Sequence, residues 1–116
     1  MILSVFIKAF DIMFRPKLKP LNDKEKSYFA KTQKNMSIYQ FENCPYCVKV
    51  RWEMRRLGLS EIVFKDAKNN SVAKAELLSG GGKVQVPCLR IEKEKGVSTW
   101  LYESSEIIEY LRKTFS

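Results

Sequence analysis

Apolar residues recur along this chain in two rhythms, and each change of rhythm marks an element. In MILSVFIKAFDIMF (1–14) only Ser4, Lys8 and Asp11 break the apolar run, at spacings of four and three, which predicts a helix with one narrow polar stripe. The following RPKLKP (15–20) stops that helix with its prolines. Residues 20–35 are charged and lack an apolar period, as a linker or a short solvated helix would. From Met36 the pattern changes. SIYQF (37–41) reads as a strand, and Cys47, Val50, Met54 and Leu57 then follow at helical spacing up to Gly58, a C-terminal glycine. EIVFKDA (61–67) predicts a second strand, and SVAKAELLS (71–79) a second helix ended by Gly80, Gly81 and Gly82. PCLRIE (87–92) and STWLY (98–102) predict a hairpin around Lys93–Gly96. ESSEIIEYLRKTF (103–115) is an amphipathic helix with Ile107, Ile108, Leu111 and Phe115 on one face. The order is β-α-β-α-β-β-α. A crossover helix makes the first two strands parallel and the hairpin makes the last two antiparallel, so the expected fold is α/β with a four-stranded mixed sheet. Two segments follow: an apolar and basic extension with its linker, 1–35, and a domain, 36–116.

Composition narrows the setting. With 116 residues, 45% of them hydrophobic and 12% aromatic, one domain can build a core without cross-links. Three cysteines cannot all pair within the chain. A reducing compartment, the cytoplasm, is therefore expected, and any disulfide is expected to be transient. The net charge of +8 is uneven: residues 1–35 hold eight of the 21 Lys and Arg against three of the 13 Asp and Glu. An excess of that kind in a tail favours an anionic surface. A helix over 1–14 reaches about 21 Å, short of the roughly 30 Å hydrocarbon core of a bilayer. Such a helix suits the membrane interface better, with Arg15, Lys17 and Lys19 beside an anionic leaflet, so residues 1–20 are expected to associate with membranes. Docking on the domain or on a partner chain is a second reading. A signal peptide is a third, weakened by the lack of a basic residue ahead of the apolar run and of a small-x-small cleavage site. No nucleic-acid partner is expected, because the basic tail lacks interleaved aromatics and any known motif.

The chemistry gathers at Cys44-Pro45-Tyr46-Cys47, where a strand gives way to a helix. A structural zinc site needs four ligands, and this chain has no histidine and only Cys88 in addition. A structural disulfide closing so small a loop stabilises little. A redox dithiol fits the placement: a helix N-terminus favours the thiolate at Cys44, Pro45 suits the first helical turn, and Cys47 is close enough to attack a mixed disulfide on Cys44. Lys49, Arg51, Arg55 and Arg56 either add positive potential there or form a solvated face.

The CPYC signature after a strand, the Val86-Pro87 step before the next one, and Glu103-Ser104 opening the last helix together resemble a dithiol glutaredoxin with a thioredoxin-like fold. KVQVPCL (83–89) and YESSEIIEYL (102–111) look especially like the glutaredoxins close to the N-terminal domain of glutathione transferases. The resemblance covers 37–115. It implies a glutathione-dependent thiol-disulfide oxidoreductase that reduces protein disulfides or protein-glutathione mixed disulfides, with Cys44 as nucleophile and Cys47 as resolving thiol. Pro87 would be the family's cis-proline, letting the backbone of Val86 pair with the cysteinyl part of glutathione. Glu103 and Ser104 would hold the γ-glutamyl end, and Tyr46 and Gln85 would flank the tripeptide. Glutathione is thus the expected cosubstrate, with no metal. Many glutaredoxins have Thr where Gln85 stands, paired aspartates near the last helix, and a lysine shortly before the first cysteine, where this chain has Phe41, Glu42 and Asn43. A chain ending at Ser116 is not expected to be a complete transferase with its all-helical second domain. Cys88 should turn away from the site by strand alternation. The alternative function is a thioredoxin-fold binding or adaptor module with little turnover, targeted to a membrane or partner or ligating an iron-sulfur cluster.

Overall fold

Ile38 and Tyr39 are neighbours in sequence and both fully buried, because the strand that carries them has a layer of helix on each face. In the computed structural model, which describes residues 2–115, that strand is β1 (Met36–Gln40). Met1 and Ser116, the outer limits of the two segments read from the sequence, lie outside the described residues. β1 pairs in parallel with β2 (Val63–Asp66) and antiparallel with β3 (Cys88–Glu92), which pairs antiparallel with β4 (Ser98–Leu101). The order is β2-β1-β3-β4, the expected mixed four-stranded sheet.

The helices divide between the faces. α3 (Pro45–Leu57) and α5 (Ser104–Phe115) cover one, burying Val50, Met54, Ile107 and Leu111 against Ile38, Leu89 and Ile91. α4 (Ser71–Glu76), continued by a turn of π-helix over Leu77–Gly81, covers the other with Ala73 and Leu77 against Tyr39 and Cys88. At Gly80 an added Cβ would collide with the indole of Trp100, so the helix end reaches the sheet only because that position has no side chain. Gly58 closes α3 in the left-handed conformation, at φ 80°.

Two further helices precede the sheet. α1 (Ile2–Phe14) forms where the apolar run predicts it. α2 (Asp23–Gln33) opens with a capping box in which Asn22 accepts from the N–H of Glu25 at 2.7 Å and Glu25 returns to the N–H of Asn22. Of the two readings of residues 20–35, the short helix is the one that forms, though two of its residues are buried rather than solvated. Phe29 enters the main core and meets Phe115 edge-on at 5.2 Å, and buried Gln33 accepts from the N–H of Glu61 at 2.9 Å. Packing thus runs across the boundary at 35/36 that charge and periodicity mark.

Candidate redox site

Strand register gathers motifs that are far apart in sequence. Tyr39 stands opposite Cys88, so the chain leaving β1 and the chain entering β3 meet at one end of the sheet. Leu89 stands opposite Leu101, which brings the exit of β4 to the same end, and Gln40 opposite Asp66 brings the exit of β2 there too. The loop carrying Cys44, the Val86–Pro87 step and the Glu103–Ser104 opening of α5 therefore lie together.

Cys44 is the N-cap residue of α3, in extended conformation, and makes no side-chain capping bond. The first-turn N–H groups of a helix lack intrahelical acceptors, so this sulfur sits at the positive end of the helix dipole. Pro45 stands at the start of the helix, where a missing N–H leaves nothing unpaired, and the N–H of Val48 donates to the Cys44 carbonyl at 2.9 Å. Cys44 is half-buried and Cys47, one turn on, is completely buried; both are free thiols. Burial pushes the Cys47 thiol up to about 12; a backbone hydrogen bond from Phe41 opposes the rise and the neighbouring Cys44 adds to it. At neutral pH Cys47 is a protonated thiol beneath a partly exposed one.

Among the remaining sequence-derived positions, Tyr46, Gln85 and Glu103 are exposed, Val86 and Ser104 are half-buried, and Pro87 is buried. The Val86–Pro87 peptide bond is cis. The Glu103 carbonyl accepts from the N–H of Ile107 at 2.9 Å, so α5 starts at this end of the sheet. Cys88 lies in the layer under α4, on the face opposite α3, where burial pushes its thiol up to about 12. Among the described residues no group of three or more His, Cys, Asp or Glu side chains converges as metal ligands would.

Three contributors are not evident from the sequence. Arg51, one of four cations on α3, is not part of a solvated face: it donates to Gln40 Oε1 at 2.8 Å, to the Glu42 carbonyl at 2.9 Å and to Asp11 Oδ2 at 3.2 Å. It thereby ties the end of β1, the loop before Cys44 and α1 to one guanidinium. On the other side of Cys44 a cleft of about 200 Å³ is lined by Phe41, Asn43, Asp66, Lys68 and Asn69. Its floor is fixed by Asp66, whose Oδ1 accepts from the N–H groups of Lys68 and Asn69 at 2.9 and 3.1 Å; Asp66-Ala-Lys-Asn-Asn70 after a strand is the turn signal that points there. Glu53, buried on α3, accepts two bonds at 3.0 Å from Arg112 of α5, and these, ahead of any other cause, hold its carboxyl below the usual range.

A half-exposed sulfur at a helix N-terminus, a second, buried free thiol one turn on, and a mixed sheet with helices on both faces define a thioredoxin-like domain with two cysteines close together at the end of its sheet. Residues 43–114 match the family model described as glutathione S-transferase, N-terminal domain, and the chain belongs to that family. Among solved structures it is similar to a glutaredoxin–glutathione complex from buckwheat, at 20% identity over 82% of this chain and 88% of that one, with a TM-score of 0.51. It is similar also to oxidized glutaredoxin 2 from Chlamydomonas reinhardtii, at 19% identity over 78% and 88%, again with a TM-score of 0.51. At these identities the likeness is one of fold. A comparison with curated proteins returned no match.

Proposed function

We propose that this chain is a glutathione-dependent thiol-disulfide oxidoreductase of the glutaredoxin kind. The observation that carries the reading is the inequality of its two sulfurs: Cys44 reachable at the helix N-terminus, Cys47 sealed and protonated one turn inside.

On a glutathionylated protein, the Cys44 thiolate attacks the glutathione sulfur, forming a Cys44–glutathione disulfide and releasing the protein thiolate. A second glutathione thiolate then attacks that disulfide, leaving oxidised glutathione and regenerating the Cys44 thiolate. On a protein disulfide, the Cys44 thiolate attacks one substrate sulfur, forming a mixed disulfide as the substrate S–S bond breaks and the other sulfur leaves as a thiolate. Cys47 then gives its proton to the departing substrate thiolate as its own sulfur bonds to Cys44, and two glutathiones reduce the resulting disulfide. In this reading the Val86 backbone, Pro87, Gln85 and Tyr46 border the bound tripeptide, and Glu103 and Ser104 at the start of α5 receive its γ-glutamyl end. That the similar buckwheat protein was crystallised with glutathione supports the choice of tripeptide.

Glutathione-coupled reduction of a small glutathione mixed disulfide tests the reading. The wild type should turn over, Cys44→Ser should be inactive, and Cys47→Ser should retain activity, because this route needs one thiol. An inactive wild type with an intact fold would overturn the proposal in favour of a binding module.

A further inference from the structure

α1 buries a carboxylate against the domain and leaves much of its apolar arc facing outward, the reverse of what a soluble helix packed on a core does. Asp11 is buried: its Oδ1 accepts from the Trp52 indole N–H at 2.6 Å, and its Oδ2 accepts from Arg51 at 3.2 Å and Arg15 at 3.3 Å. Phe10 stacks on Trp52 at 5.6 Å. On the far side Val5, Ile12 and Met13 are 57–73% exposed. Their directions on a helical wheel span a wide arc centred opposite Asp11.

Charge identifies what covers this arc. Asp11 is the single acid in residues 1–22, and it is buried against cations, whereas Lys8, Arg15, Lys17 and Lys19 are exposed around the apolar face. A second copy of this chain would bring those cations against themselves. An anionic bilayer complements both features, apolar side chains entering the interface and cations meeting lipid phosphates. No helix among the described residues is long and apolar enough to cross a membrane. We propose that α1, latched to the domain through Asp11, seats the molecule flat on an anionic lipid surface.

The seat has a direction. Phe6 and Phe10 share with Pro45, Val48 and Trp52 a cavity of about 500 Å³, while further along the Pro16 carbonyl accepts from Arg55 and the N–H of Lys19 donates to the Arg55 carbonyl. α1 and the segment after it therefore run alongside α3 in the same sense, and the apolar surface begins beside the residue that follows Cys44. If Cys44 is the nucleophile proposed above, its disulfide substrates lie close to the membrane surface; the seating itself does not depend on that reading.

Co-sedimentation of the full-length chain with vesicles of phosphatidylcholine alone, or mixed 3:1 with phosphatidylglycerol, tests the seat. Binding should need the anionic lipid. Replacing both Lys17 and Lys19 with Ser should weaken it about 25-fold, about fivefold per cation. Ile12→Ser with Met13→Ser should weaken it at least about tenfold, with the far-UV spectrum unchanged. Cys44→Ser should bind like the wild type, which separates this result from the fate of the redox reading. Absence of binding, equal binding to both vesicles, or a dimer in ultracentrifugation that the Ile12 and Met13 changes split would overturn the proposal.

Discussion

α1 and α2 follow one another in the N-terminal segment, yet they attach in opposite ways. α2 turns Phe29 into the core and leaves its charges in water; α1 turns a carboxylate inward and leaves Val5, Ile12 and Met13 outside. The first attachment buries apolar area, which is non-directional and shared with the whole core, so α2 should melt with the domain. The second is a latch of a few directed contacts on α3, so α1 should open on its own at lower free energy.

The largest expected effect tests the α2 side. Phe29→Ala removes a core ring and should cost about 3–5 kcal/mol in the free energy of global unfolding by denaturant. A loss near zero would mean that α2 is as peripheral as α1. Next, Gln33→Ala removes the acceptor of the Glu61 N–H and should cost about 1–2 kcal/mol in the same assay. Asp11→Asn should change global unfolding by less than about 0.5 kcal/mol while speeding tryptic cleavage at Lys17, because it frees α1 and leaves the core untouched. If global stability falls as far as with Phe29→Ala, the contrast between the helices fails.

The smallest effect is one of pH. Burial pushes the Asp11 carboxyl up, but hydrogen bonds from Trp52 and Arg51 outweigh it and hold the group below the usual carboxylate range. Because the docked value is depressed, the latch is fully present above the undocked carboxyl value, about 3.9, and is lost as pH falls through the docked one. Trp52 emission, followed from pH 7 downward, should therefore change in acid in the wild type and stay flat in Asp11→Asn.

What the sequence made legible followed from short-range rules. The period of α3, the Gly58 stop and the hairpin are local, and the structure places those elements within a residue or two of the expected limits. Cys44, Pro45 and Cys47 were legible because a helix N-terminus is a local feature. The orientation of α1 was not, because the pattern at 1–14 shows which residues are apolar but not which face meets the domain. That is decided by one carboxylate whose partners, Arg51 and Trp52, lie 40 and 41 residues away. Phe29 was missed for a related reason: one aromatic in a charged stretch makes no period, yet one suffices to anchor a helix. Arg51 was hidden among cations at helical spacing, where solvation is the ordinary outcome.

Arg51 also limits how the molecule can vary. One guanidinium serves the attachment of α1 and the loop that presents Cys44, so a lineage cannot retune one without disturbing the other by changing that residue. Drift in the N-terminal segment has its freer route through Asp11, whose loss still leaves Arg51 bonded to Gln40 and the Glu42 carbonyl. A relative could therefore discard its seat and keep its thiol, whereas a relative that lost the arginine would have to rebuild both.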